Sequence, residues 1–339
     1  MKFYGNRAVA DTLEQMVRDR RTPQTLLFSG ANGIGKATLA RHFAARLIGG
    51  ESRIEKDDLS LPENVERIEE REKWTGEKRA DDPLLFASHP DFVTFPPDGP
   101  LRQISIQQMR ALKERAPYKP LKGDWRVFLI DHVDRANEQA ANSLLKTLEE
   151  PPPHLILILT AENPYDVLPT IRSRSIQLVF AHLEEDEMRE FARDRNLDNP
   201  DRRLALASGS PGAALSLDLA AYDRRRSAML ALLQAGARTA SFGNWLRFSE
   251  AMGQNRTEKL DAYLAVLYVL LEDILRVRVG LDPRNLDLRE EVSKLAHAVS
   301  FDWLIAAVAM VDELVELVRR NIQKAIAMDA LVVRMANIH

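Results

Sequence analysis

Three glycines and a lysine, Gly30, Gly33, Gly35 and Lys36, confine this chain to a small set of folds. They follow an apolar run, Leu26-Leu27-Phe28, and lead into a helical pattern from Leu39 to Leu47. A strand, a glycine-rich loop and a helix in that order make a phosphate-binding loop. The glycines let the backbone curl so that several N–H groups face one hollow. The helix dipole adds partial positive charge there and Lys36 adds a full one. The pattern departs from its template at one position. A Ser or Thr directly after the lysine would hold Mg²⁺, and Ala37 stands in its place. Thr38 comes one residue late and faces another way on the helix. The expectation is a phosphate loop without its metal ligand.

A second part of such a site is an acid ending a buried strand further along the chain. Arg126-Val127-Phe128-Leu129-Ile130 is that strand and Asp131 is that acid. Hydrolysing loops of this layout place a glutamate next, to polarise the attacking water. His132 follows here. A neutral imidazole can accept a proton in principle, but the reading preferred is a lost base.

Apolar runs and helical patterns alternate through the first half. Asn6 to Arg20 is an amphipathic helix pattern, Phe92–Phe95 a strand, and Ser105 a cap for a helix running to Arg115. Asn137 to Glu149 carries an apolar face, and the Pro151-Pro152-Pro153 run stops it. Leu155–Thr160 and Ile176–Phe180 are further strands. Strands without polar alternation suit a parallel sheet covered on both faces, with ligands at the strand C-terminal edge. The His89-Pro90-Asp91 step reads as a turn. Everything after residue 181 reads as helix: Leu183 to Leu197, Leu204 to Leu217 broken at Gly209-Ser210-Pro211-Gly212, then Arg224–Leu233, Lys259–Val277, Asp302–Ile322 and Ala325–Met335.

Residues 51–82 break the pattern. They are crowded with Glu, Lys, Arg and Asp and poor in apolar residues, so a solvated, partly disordered insertion is expected. The chain has no cysteine, which excludes disulfides, thiolate zinc sites and a thiol nucleophile. No apolar run is long enough to cross a bilayer and no signal-peptide pattern opens the chain, so a cytoplasmic location and no membrane contact are expected. The net charge of −3 gives no basic excess, so any nucleic-acid contact is expected to be weak or shared within an assembly.

Two further stretches are specific. Asn142-Ser143-Leu144-Leu145-Lys146-Thr147-Leu148-Glu149-Glu150-Pro151-Pro152 and Leu168-Pro169-Thr170-Ile171-Arg172-Ser173-Arg174-Ser175, together with the phosphate loop, resemble the clamp-loader branch of the AAA+ ATPases. The three motifs cover the first half of the chain. The resemblance implies an α/β AAA+ domain over residues 1–180 with the charged insertion at 51–82. It implies a small helical lid at 181–220 and an all-α collar for oligomerisation at 221–339. It also implies a role in placing a sliding clamp on primed DNA, as one subunit of the bacterial DNA polymerase III assembly. The partners would be gamma/tau-type and delta-type subunits, the clamp, and DNA through the assembled complex.

Within that branch, Ser173-Arg174-Ser175 matches a motif whose arginine reaches the ATP of a neighbouring subunit, which would make Arg174 an arginine finger in trans. A planar, permanently charged guanidinium suits γ-phosphate oxygens. Arg172 is the nearby competitor, expected to pair locally. The nucleotide site of the chain itself would comprise Gly30, Gly33, Gly35, Lys36, Thr38 and Asp131. It lacks the hydroxyl at Ala37, the base at His132 and, at Gly212, the arginine that hydrolysing relatives use to sense phosphate. ATP held weakly and not hydrolysed is the expectation, with no metal ligand set. Many members carry a four-cysteine zinc module after the loop helix, and this chain cannot. Arg110 and Lys113, on the helix after Ser105, are candidates for DNA contact but read equally as a solvated face. The competing expectation is an active gamma/tau-type motor, with Thr38 and His132 in the missing roles. A small-molecule phosphate-loop kinase is disfavoured by the long helical second half.

Overall fold

The computed structural model describes residues 2–254, 258, 260–318 and 323–338. The helix ends expected at Lys259 and across 319–322 lie outside the described residues. The chain divides into two compact units, Met1–Leu197 with Ala207–Ala213, and Asp198–Leu206 with Ala214–His339.

The first unit is built on a six-stranded sheet. In chain order its elements begin with α1 (Arg7–Arg18), β1 (Thr25–Ser29) and α2 (Lys36–Ile48). Three short helices follow: α3 (Glu51–Ile54), α4 (Pro62–Glu72) and α5 (Gly76–Asp81). Then come β2 (Phe86–His89), β3 (Phe92–Phe95), α6 (Ile106–Arg115), β4 (Arg126–Ile130) and α7 (Glu138–Glu149). The unit continues with β5 (Leu155–Ala161), α8 (Pro169–Arg172), β6 (Ile176–Val179) and α9 (Glu185–Asp194). The sheet order is β2-β3-β4-β5-β1-β6, parallel throughout except for the antiparallel pairing of β2 with β3.

Period-two alternation sends neighbouring residues of each strand to opposite faces. Leu26, Phe28, Val127, Leu129, Ile156 and Ile158 pack with Val9, Leu39 and Phe43 of α1 and α2. Leu27, Phe128, Ile130, Leu157 and Leu159 pack with Met109, Leu112, Ala140 and Leu144 of α6 and α7. Both faces are covered, which is why the central strands could dispense with polar residues. All seven positions of β5 are buried between β4 and β1. Helix α6 starts at a full capping box, with the Ser105 hydroxyl accepting from the Gln108 N–H and the Gln108 carboxamide returning to the Ser105 N–H.

Residues 51–82 correct the sequence expectation in part: they are folded into helices rather than disordered, while most of their charged side chains are exposed as a solvated segment would have them. A few charges turn inward and pair. Arg71, 2% exposed, donates from Nε and Nη2 to the two carboxylate oxygens of Asp98 at 3.0 and 2.8 Å, and its guanidinium lies over the Trp74 ring. Arg41 is equally buried and reaches Glu55 and Asp58. The Asn64 side chain donates to the carbonyls of Lys56 and Asp58. Ile68 joins Leu84 and Phe86 in a small apolar cluster, and Ile54 enters the main core. A charge count treats such residues as solvated; reciprocal pairing across the chain folds them in.

The His89-Pro90-Asp91 turn joins β2 to β3. The Asp91 carboxylate, fully buried, accepts from the N–H groups of Leu121 and Lys122 at 2.8 and 3.0 Å. The His89 Nδ1 accepts from the Asp91 N–H at 3.1 Å.

The second unit contains α10 (Pro200–Ala207) up to Leu206, and α11 (Pro211–Ser216) from Ala214 onward. It is otherwise formed by α12 (Leu219–Gly236), α13 (Phe242–Gln254), α14 (Leu260–Arg278), α15 (Arg289–Ala298), α16 (Phe301–Val318) and α17 (Lys324–Ala336). Its core centres on Leu232, Trp245, Leu267, Ile274, Ala307 and Met328. Trp245 Nε1 donates to Asp329 at 2.7 Å, so the ring is buried without orphaning its N–H. The link after α14 is tied down by Asp273, fully buried, whose carboxylate accepts from the N–H groups of Arg284 and Asn285 and from the Asn285 side chain. Helices α13 and α15 were not expected from the sequence. Among the described residues no helix is long and apolar enough to cross a membrane.

Candidate functional site

The C-terminal ends of β1, β4 and β5 converge, and the side chains that follow them form the site. The loop after β1 carries Gly30, Gly33 and Gly35 at positive φ, 145°, 75° and 96°. Lys36 opens α2 and is 5% exposed. Its ammonium does not point at open space. It donates to the carbonyls of Gly30 at 2.7 Å and Ala31 at 2.8 Å. Burial lowers its pKa from the ordinary lysine value, against the opposing pull of the carboxylates of Asp131, Glu162 and Asp134.

The next two carbonyls of the loop are also taken. The Ser210 hydroxyl donates to the Asn32 carbonyl at 2.9 Å, and the Gly212 N–H donates to the Gly33 carbonyl at 2.8 Å. The approach is close enough to demand glycine on both sides. A Cβ on Gly33 would sit 2.6 Å from the Ser210 hydroxyl, and one on Gly212 would sit 2.8 Å from the Gly33 Cα. Thus the carbonyls of residues 30 to 33 accept in turn from Lys36, Lys36, Ser210 and Gly212. Phe3 lies against Gly35, its ring 3.0 Å from where a Cβ would stand.

Asp131 stands at the end of β4, as the sequence places it, but its carboxylate has a protein partner. Thr160, in β5, donates its hydroxyl to Asp131 Oδ1 at 2.6 Å and accepts the His132 N–H at 2.8 Å. His132 adopts the left-handed region, φ 56° and ψ 58°. Its Nδ1 is 3.6 Å from Glu162 and 3.9 Å from Asp134, too far for hydrogen bonds. Glu162 is engaged from two sides, by Arg135 at 3.1 Å and through its own N–H to Asp134. Sequence reasoning missed Thr160, Asp134 and Glu162. The available signal was a hydroxyl and an acid at the end of an apolar strand next to β4.

Thr38 lies in the first turn of α2, half-buried. Two residues along a helix turn about 200° about its axis, so Thr38 does not share the face of Lys36. The structure brings Gly30, Gly33, Gly35, Lys36 and Asp131 to one edge, and keeps Arg174 out of this hydrogen-bonded cluster.

Arg174 follows α8. Its Nη1 donates to the Thr170 carbonyl at 3.0 Å and its Nη2 to Glu149, the last residue of α7, at 2.9 Å. The side chain is 36% exposed and Glu149 is 52% exposed. An ion pair this open holds a guanidinium in position at little energetic cost to exchange. Arg172 is anchored locally as expected, but to the Pro164 carbonyl and over the Tyr165 ring. On α6, Arg110 and Lys113 are both exposed.

A family model described as DNA polymerase III, delta subunit, matches residues 5–184. The chain is 31% identical over 195 residues to DNA polymerase III subunit delta′ of Pseudomonas aeruginosa, covering 56% of this chain and 54% of that one. It is 30% identical over 218 residues to the delta′ subunit of Escherichia coli, covering 63% of each. It is 28% identical over 186 residues to subunit tau/gamma of Haemophilus influenzae, covering 54% of this chain and 24% of that one. The chain therefore spans from a quarter to under two thirds of these relatives. A DNA polymerase III gamma subunit-related protein from Thermotoga maritima aligns over 96% of this chain and 98% of its own, at 14% identity and a TM-score of 0.46.

Proposed function

We propose, on the premise that this chain belongs to the DNA polymerase III delta-subunit family, that it is a clamp-loader subunit that does not itself hydrolyse ATP. In this reading it offers Arg174 to nucleotide bound by a neighbouring gamma/tau-type subunit. With that subunit and a delta-type subunit it helps place a sliding clamp on primed DNA. The observation that carries the non-hydrolysing half is the Lys36 ammonium bonded to the Gly30 and Ala31 carbonyls. Two of the three ammonium donors of Lys36 are spent on its own loop, and a γ-phosphate would have to displace them. Ala37 offers no hydroxyl, Asp131 is bonded to Thr160, and His132 replaces the carboxylate that would orient water. These residues fit a working metal–triphosphate site poorly, so no step is routed through it.

The support for Arg174 is its position. A guanidinium held half-exposed by Glu149 and Thr170 is already ordered, so little rotamer freedom is lost when it meets a phosphate. It would stabilise charge developing on the equatorial oxygens of a transferring phosphoryl group, an effect worth roughly 10³-fold or more in rate at the site it faces.

The test is reconstitution with gamma/tau-type and delta-type subunits, clamp and primed DNA. The lone chain should release phosphate from ATP no faster than buffer. Arg174→Ala should abolish turnover at the facing site while the complex keeps its mass. Undiminished turnover in that variant removes the finger. The similarity to tau/gamma subunits keeps a motor reading in play; brisk hydrolysis by the lone chain, abolished by Lys36→Ala, would replace the present one.

A further inference from the structure

Two arginines at the end of α8 are held in different ways. Arg172 is held by the Pro164 carbonyl and by the face of the Tyr165 ring. Arg174 reaches instead to an acid on another helix, Glu149 of α7, through Nη2 at 2.9 Å. The chain beneath Arg174 is fixed as well. Its N–H donates to the Ile171 carbonyl at 3.2 Å. The Ser173 hydroxyl donates to the Thr170 carbonyl at 3.2 Å, and Arg174 Nη1 donates to that same carbonyl at 3.0 Å. The root of the side chain is therefore tied to α8 and its tip to α7. Of the five N–H donors of a guanidinium, these contacts take two and leave three in the same rigid plane.

Stability alone does not account for an acid at position 149. Glu149 closes α7, and Glu150 follows it as the C-cap. The C-terminal end of a helix carries partial negative charge and favours cations, so an acid there works against the helix it ends. Its pair with Arg174 is open to solvent on both sides, and such a pair contributes little to folding. What the pair supplies is direction, because arginine otherwise spreads over many rotamers. We infer that Glu149 is a positioning residue for Arg174. Its carboxylate holds one edge of the guanidinium so that the remaining N–H groups meet the anionic oxygens of a phosphoryl group carried by another subunit. Glu149 touches no phosphate itself, since two anions repel; it acts only through the arginine. The inference rests on the reading of Arg174 as a finger and adds to it the residue that aims the finger.

The test uses the full chain in the reconstituted complex, with turnover at the facing site measured over a range of ATP concentrations. Glu149→Ala should lower kcat there on the order of tenfold, the cost of a misplaced group. The KM for ATP should stay unchanged, because the other subunit binds the nucleotide. The thermal midpoint of the lone chain and the mass of the complex should both hold, which a merely structural tie between α7 and α8 would not allow. Glu149→Gln keeps an acceptor for Nη2 and should restore most of the rate. With Arg174→Ala already in place, Glu149→Ala should cost nothing more, since both act through one guanidinium. Full turnover in Glu149→Ala beside a crippled Arg174→Ala overturns the inference and leaves the finger standing. A further loss on top of Arg174→Ala, or a change confined to KM, overturns it as well. Full turnover in Arg174→Ala overturns both.

Discussion

At the scale of single residues, Lys36 and His89 show how little a residue's type says about its use. Lys36 sits where a phosphate ligand belongs and serves as an internal strut. His89 stands beside a proline in what the sequence suggests is a plain turn. It packs over Gly50, and its Nδ1 must be unprotonated to accept the Asp91 N–H. Burial lowers its pKa below the ordinary imidazole value, with Asp91 opposing and Arg53 and Lys122 reinforcing. The unfolded chain then binds a proton before the folded chain does. Stability from this group is present above about pH 6.5 and is lost as pH falls from there through the lower folded value. His89→Asn keeps an acceptor near that N–H and removes the titration. Urea midpoints measured between pH 7 and 5 should fall less steeply for this variant than for the wild type. Equal slopes would show that the histidine does not contribute.

At the scale of elements, the parallel strands were legible because apolar residues dominate both faces of them; β4 and α6 begin and end where the apolar runs and the Ser105 cap place them. The edge strand β2 was not, since Phe-Ala-Ser-His has two exposed positions and lacks a clean alternation. The order of residues 51–82 was missed for a different reason. Among the contacts that hold them are an arginine meeting an aspartate 27 residues away and a buried aspartate accepting from a backbone N–H 31 residues away, and pairings at such distances leave no local pattern. The candidate site divides the same way. The loop glycines, Lys36 and Asp131 were visible as motif, whereas Thr160 and Glu162 became visible only when β5 was placed beside β4. Arg71 carries the prediction that belongs here. Removing one partner of a buried, doubly hydrogen-bonded pair leaves the other charge unpaired, at a cost of about 3–5 kcal/mol. Arg71→Ala should therefore expose residues 51–82 to protease while the sheet resists. Equal cleavage of variant and wild type would mean that the segment is held by its apolar contacts.

At the scale of the whole molecule, the two units have separate cores, one sheet-centred and one helical. The helical nature of the second was legible from its apolar spacing. Helices α13 and α15 escaped notice because their inward residues, such as Trp245, Met252, Val292 and Leu295, are few and include small or polar ones, Ser249 and Ala296. Arg174, the residue with a proposed use, is half-open on the surface, whereas Lys36 and Asp131 are engaged by internal bonds. The closure of residues 51–82 by Arg71 and Asp98, in a chain without a single sulfhydryl, also sets its chemical temperament. Thiol-directed poisons find no handle on this segment, and what would loosen it is a competitor for the guanidinium or the carboxylate of that pair.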